Sequence, residues 1–305
     1  MRIGYMIGEG TGAAPDVAEF VERGKRIEAA GLHTAWIAEI FIDAATAAAV
    51  LGGATTRIEI GTAVIPTPMR HPMELAQQAA TTQQTCGGRF TLGIGLSHKV
   101  MVEGVMGLSY ERPVLQMREY LEVLGPMLRG EDVDFQGEIY SARFPAPPLG
   151  TPVDVLVAAL GPQMLRVAGR LAGGTIAWAA GPRTLESHIV PTLNAAAKQA
   201  GRPEPRVVAG FPVVVTNDVD AARTAAVATF GHYKTLPSYK AMLDREGVEG
   251  VEDLIVAGDE ASVRDQLRRI AEAGTTDLCT FPYAADEGSV DRTIDLLGDI
   301  ARSGV

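Results

Sequence analysis

The feature that most constrains this chain is a regular alternation between short strand-like runs and longer helix-like segments. The runs are rich in β-branched or aromatic residues, and about eight of them occur. They span residues 3–7, 34–38, 58–64, 90–95, 153–158, 175–179, 207–216 and 277–282. Strands that alternate with helices pair in parallel through right-handed crossovers. The pattern therefore predicts an α/β fold whose sheet is covered by helices.

The helical segments carry start and stop signals of their own. Pro15-Asp16 precedes the first helical pattern, which Gly31 ends just before the second strand. His71-Pro72 and Arg112-Pro113 open two more helices. Proline favours the first turn of a helix and glycine its carboxyl end, so these signals support a repeated β-α unit.

Two intervals, residues 96–152 and 217–276, are longer than a β-α unit needs, and each follows the carboxyl end of a strand. We interpret them as candidate active-site insertions. The proline-rich segment 144–148 resembles a linker, but the strand pattern resumes at Val153 without a change in composition. We therefore expect a single domain, residues 1–305.

Charge and hydropathy narrow the classes of partner. The formal net charge is -10, from 27 basic and 37 acidic residues, which disfavours nucleic-acid binding. The most apolar helical stretch, residues 36–54, contains Glu39 and Asp43, which argues against a membrane span. The first residues form too short an apolar run for a signal peptide. We expect a cytoplasmic protein that binds a small-molecule substrate.

The cysteines and histidines give no sign of a metal site. Cys86 and Cys279 lie far apart without metal-ligand spacing, so we expect two buried thiols in a reducing compartment. Four histidines likewise lack the spacings of metal ligands: His33, His71, His188 and His232. The sequence predicts no metal.

One motif suggests a different fold. Gly8-x-Gly10-x-x-Ala13 follows the first strand, and Glu39 lies just past the second, which mimics a dinucleotide-binding fingerprint. In a Rossmann unit the glycines open the helix, whereas Pro15-Asp16 is the better helix start here and comes later. We therefore favour a glycine-rich loop and keep a Rossmann dehydrogenase as an alternative.

A set of motifs carries a family resemblance along essentially the whole chain. They are residues 60–66 (IGTAVIP), 87–98 (GGRFTLGIGLSH), 117–121 (MREYL), 135–138 (FQGE) and 158–164 (AALGPQM). In number, order and position relative to the strands, they resemble the luciferase-like family of flavin and deazaflavin oxidoreductases. The resemblance implies a (β/α)8 TIM barrel with insertions at the carboxyl-end loops.

Within that family the pattern looks most like the members that use coenzyme F420, with FMN as the alternative cofactor. This resemblance implies hydride transfer between the deazaflavin and a small organic substrate, and a possible homodimer. Two rivals stay open. One is an FMN-dependent monooxygenase on the same fold, and the other is a cofactor-binding protein without turnover.

The resemblance also assigns residues to the cofactor. It implies a non-prolyl cis peptide in a bulge after the third strand, which backs the cofactor ring. The matching bond here joins Ala63 to Val64. The alternative is an ordinary buried strand end.

Glycine-rich segments after the fifth strand and before the sixth are candidates for the cofactor's tail. Family members hold its phosphate-bearing part after strand five, which corresponds to Ala159, Leu160 and Gly161. Backbone amides that begin a helix can face an anion there. Gly174 and Thr175 offer a second close backbone approach, although turn geometry alone also explains such glycines.

Ser97 and His98 follow the fourth strand, where barrel enzymes carry their catalytic residues. We expect both to contact the cofactor, and His98 to handle a proton, because imidazole donates and accepts near neutral pH. A solvated loop histidine is the alternative reading.

Glu39 is the second catalytic candidate, at the end of the second strand. Deazaflavin relatives often carry an Asp-His pair there, but Ile40 occupies the histidine position in this chain. Glu39 is expected either to contact cofactor or substrate or to pair with a nearby cation. Trp178, at the end of the sixth strand, is expected to line the pocket, with simple packing as the alternative.

Overall fold

The predicted strands are all present in the structure, a computed structural model that describes residues 1–7, 16–145 and 150–304. The strands are β1 (Arg2–Ile7), β2 (Thr34–Ile37), β3 (Glu59–Thr62), β4 (Ile65–Pro66), β5 (Phe90–Gly95), β6 (Val133–Gln136), β7 (Ser141–Phe144), β8 (Asp154–Ala158), β9 (Gly174–Trp178), β10 (Arg206–Val215), β11 (Val256–Gly258) and β12 (Asp277–Pro282). The short strands β4 and β11 and the hairpin β6–β7 were not predicted.

The helices that begin at residues 17, 72 and 113 start where the sequence signals place them. They are α1 (Val17–Ala30), α2 (Ala44–Ala54), α3 (Pro72–Thr85), α4 (Lys99–Gly104), α5 (Pro113–Arg129), α6 (Pro162–Leu171), α7 (Pro182–Thr184), α8 (Val190–Gln199), α9 (Val219–Phe230), α10 (Pro237–Glu246), α11 (Glu260–Glu272) and α12 (Ser289–Ser303). Asp16 caps α1 by accepting hydrogen bonds from two backbone amides, and Gly31 ends it in the left-handed conformation. A π-helical turn, Leu185–Ile189, joins α7 to α8.

Within the described residues, eight parallel strands close into a barrel in the order β1-β2-β3-β5-β8-β9-β10-β12. Pairing of β1 with β12, with Ile3 opposite Leu278, completes the circle. This confirms the predicted (β/α)8 barrel. The Rossmann alternative is wrong because a doubly wound sheet stays open, whereas this one returns to its first strand. Its motif, residues 8–13, lies outside the described residues.

Side chains fill the barrel interior, and Trp36 is the largest of them. It is fully buried among Leu156, Ile176, Val208 and Cys279. Neighbouring strands carry glycine where the indole lies. A Cβ at Gly4 would lie 2.4 Å from the indole nitrogen, and one at Gly61 would lie 2.3 Å from a ring carbon. The interior is therefore a packed core, as is usual for this fold.

The MREYL and FQGE motifs of the sequence meet at one buried carboxylate. Glu119, on α5, is only 2% exposed and accepts hydrogen bonds from the backbone amides of Glu138, Ile139 and Tyr140 at 3.0, 2.7 and 3.1 Å. These amides form the turn between β6 and β7. Hydrogen bonds to a carboxylate favour its charged form, and they hold the hairpin against the barrel.

Three further observations concern the expectations about thiols, membranes and metals. Cys86 and Cys279 are both free and buried. Across the part of the chain that the structure describes, no helix is both long and apolar enough to cross a membrane. Nor do three metal-binding side chains converge anywhere among those residues.

An ion-pair network lies at the amino ends of the barrel strands. The guanidinium of Arg206 lies 2.6 Å from Asp277 and 3.0 Å from Glu59, and Arg2 lies 2.6 Å from Glu59. The Asp277 side chain is only 3% exposed. Because these residues belong to four different strands, the network ties together the end of the barrel opposite the loops that follow the strands.

We predict that Arg206→Ala lowers the free energy of unfolding by about 3 kcal/mol, because the buried Asp277 carboxylate loses its nearest cation, whereas Glu59 keeps Arg2. The measurement is urea denaturation followed by circular dichroism. Arg143→Ala is the matched control. It removes an exposed pair with Asp134 on the β6–β7 hairpin and should cost less than about 1 kcal/mol. Equal losses for the two variants would contradict a special role for the Arg206 network.

Candidate active site

A pocket of about 330 Å³ lies at the carboxyl ends of the barrel strands. Strand ends around the barrel contribute to its wall, among them Met6 of β1, Ala158 of β8, Trp178 of β9 and Phe281 of β12. Active sites of this fold lie at that end of the barrel. The volume falls within the range of small-molecule sites.

A bulge between β3 and β4 shapes one side of this pocket. Gly61 pairs with Thr91, and pairing resumes with Ile65 opposite Ile94, so three residues of one strand face two of the other. The bulge contains Ala63 and Val64, which line the pocket, and the bond between them is cis. The strand predicted to run through residue 64 therefore stops at Thr62.

The wall beside the bulge is flat because its residues are small. A Cβ at Gly95 would lie 2.8 Å from a methyl group of Val64 and 3.1 Å from the Cβ of Ala158. Glycine at this position therefore lets the two neighbouring strands present their short side chains side by side. All three residues line the pocket. A planar ring can rest against such a surface.

Ala159, Leu160 and Gly161 continue the wall into the start of α6. A Cβ added to Gly161 would meet no atom within 4 Å, so the space next to it is open. Pro162, the first residue of α6, has no N–H, but the amides that follow it in the first turn have no acceptor within the helix. The carbonyl of Leu160 is held 2.8 Å from the Nε2 atom of His188, on the π-helical turn.

Ser97 and His98 both line the pocket, after β5. Ser97 has a φ of 60°, a left-handed conformation that is uncommon for residues other than glycine and clusters at functional sites. The His98 ring packs 5.5 Å from the ring of Tyr239. Burial lowers the pKa of His98 below its ordinary value, and the nearby His232 lowers it further. The imidazole is therefore neutral at pH 7.

Aromatic side chains form another part of the pocket wall. Trp178 packs with Phe230, Tyr233 and Phe281 at ring distances of 5.6, 5.9 and 6.0 Å. Tyr233 packs in turn against Tyr239 at 4.8 Å. The indole nitrogen of Trp178 is buried and has no hydrogen-bond partner among the described residues. It is therefore a donor that a bound ligand can satisfy.

Glu39 lies outside this pocket, although its neighbours Ala38 and Ile40 line it. Its carboxylate pairs with Arg70, which also binds Asp43, and it accepts a hydrogen bond from the Ala44 amide at 3.1 Å. Burial raises the pKa of Glu39, and the hydrogen bond from Arg70 opposes that rise. Of the two roles expected for Glu39, the structure shows the ion pair and not a contact with the pocket.

The structure also corrects the expectation for Gly174 and Thr175, which lie outside the pocket. They begin β9, and that strand contributes Ile176 and Trp178 to the pocket instead. A Cβ at Gly174 would lie 2.1 Å from the backbone oxygen of Arg206, so the glycine serves strand packing. The Thr175 hydroxyl donates to the carbonyl of Val157 at 2.9 Å.

Several pocket residues were not predicted from the sequence. Those at strand ends, such as Met6 and Phe281, share a signal that was available, because every barrel strand points its carboxyl end at the site. A second group comes from the two long insertions: Tyr110, Phe230, Tyr233, Ser238 and Tyr239. Their insertions were expected to reach the site, but no local pattern distinguishes them from other residues of those segments.

Comparisons with known proteins agree with this geometry. The family profile described as luciferase-like monooxygenase matches residues 1–277. The 5,10-methylenetetrahydromethanopterin reductase of Archaeoglobus fulgidus is 27% identical over 263 residues, which cover 84% of this chain and 77% of that protein.

Two solved structures show the same fold. The coenzyme F420-dependent tetrahydromethanopterin reductase from Methanopyrus kandleri superposes with a TM-score of 0.81, at 22% identity and 97% coverage of both chains. The oxygenating constituent of 3,6-diketocamphane monooxygenase from Pseudomonas putida, in complex with FMN, gives 0.77 at 16% identity, with 98% of this chain and 96% of that one covered. With its sequence matched over residues 1–277 and its barrel shared with these enzymes, the chain belongs to the luciferase-like monooxygenase family.

Proposed function

We propose that this protein is a coenzyme F420-dependent oxidoreductase that transfers a hydride between the deazaflavin and a small organic carbonyl compound or alcohol. The observation that carries the proposal is the pocket itself, whose wall combines small residues, such as Val64, Gly95 and Ala158, with a cluster of aromatic side chains. The sequence relative named as a reductase and the structural neighbour named as F420-dependent support the choice of cofactor.

The residues present fit a planar heterocycle with an anionic tail. Val64, Gly95 and Ala158 offer a surface without projecting side chains. Open space lies beside Gly161, and the non-prolyl amides in the first turn of α6 suit a phosphate. Trp178 contributes a buried N–H without a partner, and an acceptor atom of a bound ligand can take its hydrogen bond.

When bound, the deazaflavin supplies hydride acceptance and donation, which no side chain can provide. The chain itself orients the substrate and excludes water, because the apolar walls confine it against the flat face of the pocket. In the oxidation direction, the substrate carbon loses a hydride and its hydroxyl loses a proton. We propose that a ring nitrogen of neutral His98, which lines the pocket, takes that proton and returns it during reduction.

FMN is the second candidate cofactor, since a structural neighbour of similar TM-score is a monooxygenase in complex with FMN. The same walls would hold a flavin ring. Oxygen uptake separates the two functions, because a monooxygenase consumes oxygen with its substrate and an F420-dependent dehydrogenase does not. A binding protein without turnover would take up cofactor and leave its redox state unchanged with every substrate. A cytoplasmic location, a homodimer and a single domain over residues 1–305 stay predictions.

We predict that the purified protein binds coenzyme F420 more tightly than FMN, and that Gly161→Val weakens F420 binding at least roughly tenfold by filling the open space beside α6. Fluorescence titration measures both affinities. Gly104→Val is the matched control, because Gly104 also has no atom within 4 Å of an added Cβ but does not line the pocket. Unchanged F420 affinity in the Gly161 variant would contradict this placement of the tail.

For Glu39 we predict an effect on stability and not on the reaction. Glu39→Gln should lower the free energy of unfolding by about 2 kcal/mol, because the buried Arg70 loses one of its two carboxylates. Its affinity for F420 and its turnover rate should stay within about twofold of the wild type. A loss of turnover without a change in F420 affinity would instead show that Glu39 takes part in the reaction.

The lowered pKa of His98 predicts the pH dependence of alcohol oxidation. The imidazole must be neutral to accept a proton, so kcat/KM should hold at pH 7 and fall as the pH drops through a value below the ordinary 6.5. His232→Ala removes the neighbouring imidazole that lowers the pKa of His98, and it should move this acidic fall to higher pH. His98→Gln should abolish it and slow turnover roughly 100-fold. If kcat/KM still falls at acidic pH in His98→Gln, a group other than His98 causes that fall.

A further inference from the structure

We infer that the substrate of this enzyme is an uncharged, mainly apolar ketone, aldehyde or secondary alcohol. The inference rests on the proposed function and adds the chemical class of the compound that shares the pocket with the cofactor. We draw this inference from the aromatic part of the pocket wall.

That side is built largely by the insertion between β10 and β11. Phe230 ends α9, Tyr233 lies in the following 3-10 turn, and Ser238 and Tyr239 lie in the first turn of α10. Edge-on contacts between these rings hold them as one unit. Phe230 packs against Phe281 at 5.2 Å and Tyr233 against Tyr239 at 4.8 Å. The result is a mainly apolar surface that lines the pocket.

Charged groups are missing from the wall as far as the structure describes it. The lining contains no aspartate, glutamate, lysine or arginine among the described residues, and its polar side chains are hydroxyls, a thiol, an indole and an imidazole. Burial raises the pKa of Tyr233 and of Tyr239, so both phenols stay protonated at neutral pH. Burial likewise keeps His98 neutral.

This uncharged lining favours apolar ligands over anionic ones. A carboxylate or phosphate placed against these rings would lose its hydration and find no cation in exchange, which makes its burial unfavourable. An apolar group of the same size gains by leaving water. The carbonyl or hydroxyl oxygen at the reacting carbon remains satisfied, since His98, Ser97 or the Trp178 indole can hydrogen-bond to it.

A matched pair of compounds tests the inference: 4-isopropylcyclohexanone and 4-oxocyclohexanecarboxylate, which have the same ring and nearly the same shape but differ by one negative charge. With reduced F420 as hydride donor, we expect kcat/KM for the neutral ketone to exceed that for the keto acid at least roughly 100-fold. Equal or better use of the keto acid would overturn the inference while leaving the proposed function intact.

A positive charge introduced into the pocket wall should weaken the preference for the neutral ketone over the keto acid. Ser238→Arg places a cation at the edge of the pocket and should narrow the preference for the ketone at least roughly tenfold. Ala241→Arg is the matched control, because Ala241 is exposed on the same helix and does not line the pocket. A preference that is unchanged in Ser238→Arg, or equally changed in Ala241→Arg, would contradict the role assigned to this wall.

Ligand binding without cofactor separates failure of the inference from failure of the proposed function. The chain has two tryptophans, and Trp178 lines the pocket while Trp36 is buried in the barrel. If F420 does not bind, the proposed function is wrong, and quenching of Trp178 fluorescence still decides the ligand class. Quenching by the ketone alone, lost in Trp178→Phe, supports an apolar site. Quenching by the keto acid, or by neither compound, overturns it.

Discussion

Pairing between the first and the last barrel strand is the interaction on which the rest of this structure depends. When β1 lies beside β12, no strand edge of the circle is left unpaired, and all eight carboxyl ends point to one rim. Loops from distant parts of the sequence then converge on that rim. The ion pairs of Arg206 hold the opposite end, so the structural and the functional ends of the barrel are separate.

Close backbone approach gives the pocket its shape. Glycines inside the barrel make room for Trp36, which fills the interior below the site. Gly95 then allows Val64 and Ala158 to form a flat surface, and the bulge before β4 brings Val64 into the pocket wall. Because a methyl group at these glycines would collide with neighbouring atoms, this side of the site tolerates little change. The aromatic side is built on an insertion, where a different sequence can give a different substrate without disturbing the barrel.

Expectations about single residues depended on where each residue stands along its strand. His98 and Ser97 follow β5 and lie in the pocket, and Ala159, Leu160 and Gly161 follow β8 and lie there too. Gly174 and Thr175 begin β9 and lie outside the pocket, to which that strand contributes Ile176 and Trp178. Glu39 stands at a strand end, but its side chain meets Arg70, a residue 31 positions further on that no local pattern connects to it.

The sequence by itself determined the eight strands, the helices between them and the end of the barrel where the site lies. Strand and helix patterns are local, and parallel connectivity leaves few topologies. Tertiary structure alone decided which polar side chains reach the pocket and which are taken by ion pairs, because partners such as Glu39 and Arg70 meet only after the chain has folded. It also decided the uncharged aromatic wall, since Phe230, Tyr233 and Tyr239 meet Trp178 and His98 only when the insertion folds over the rim.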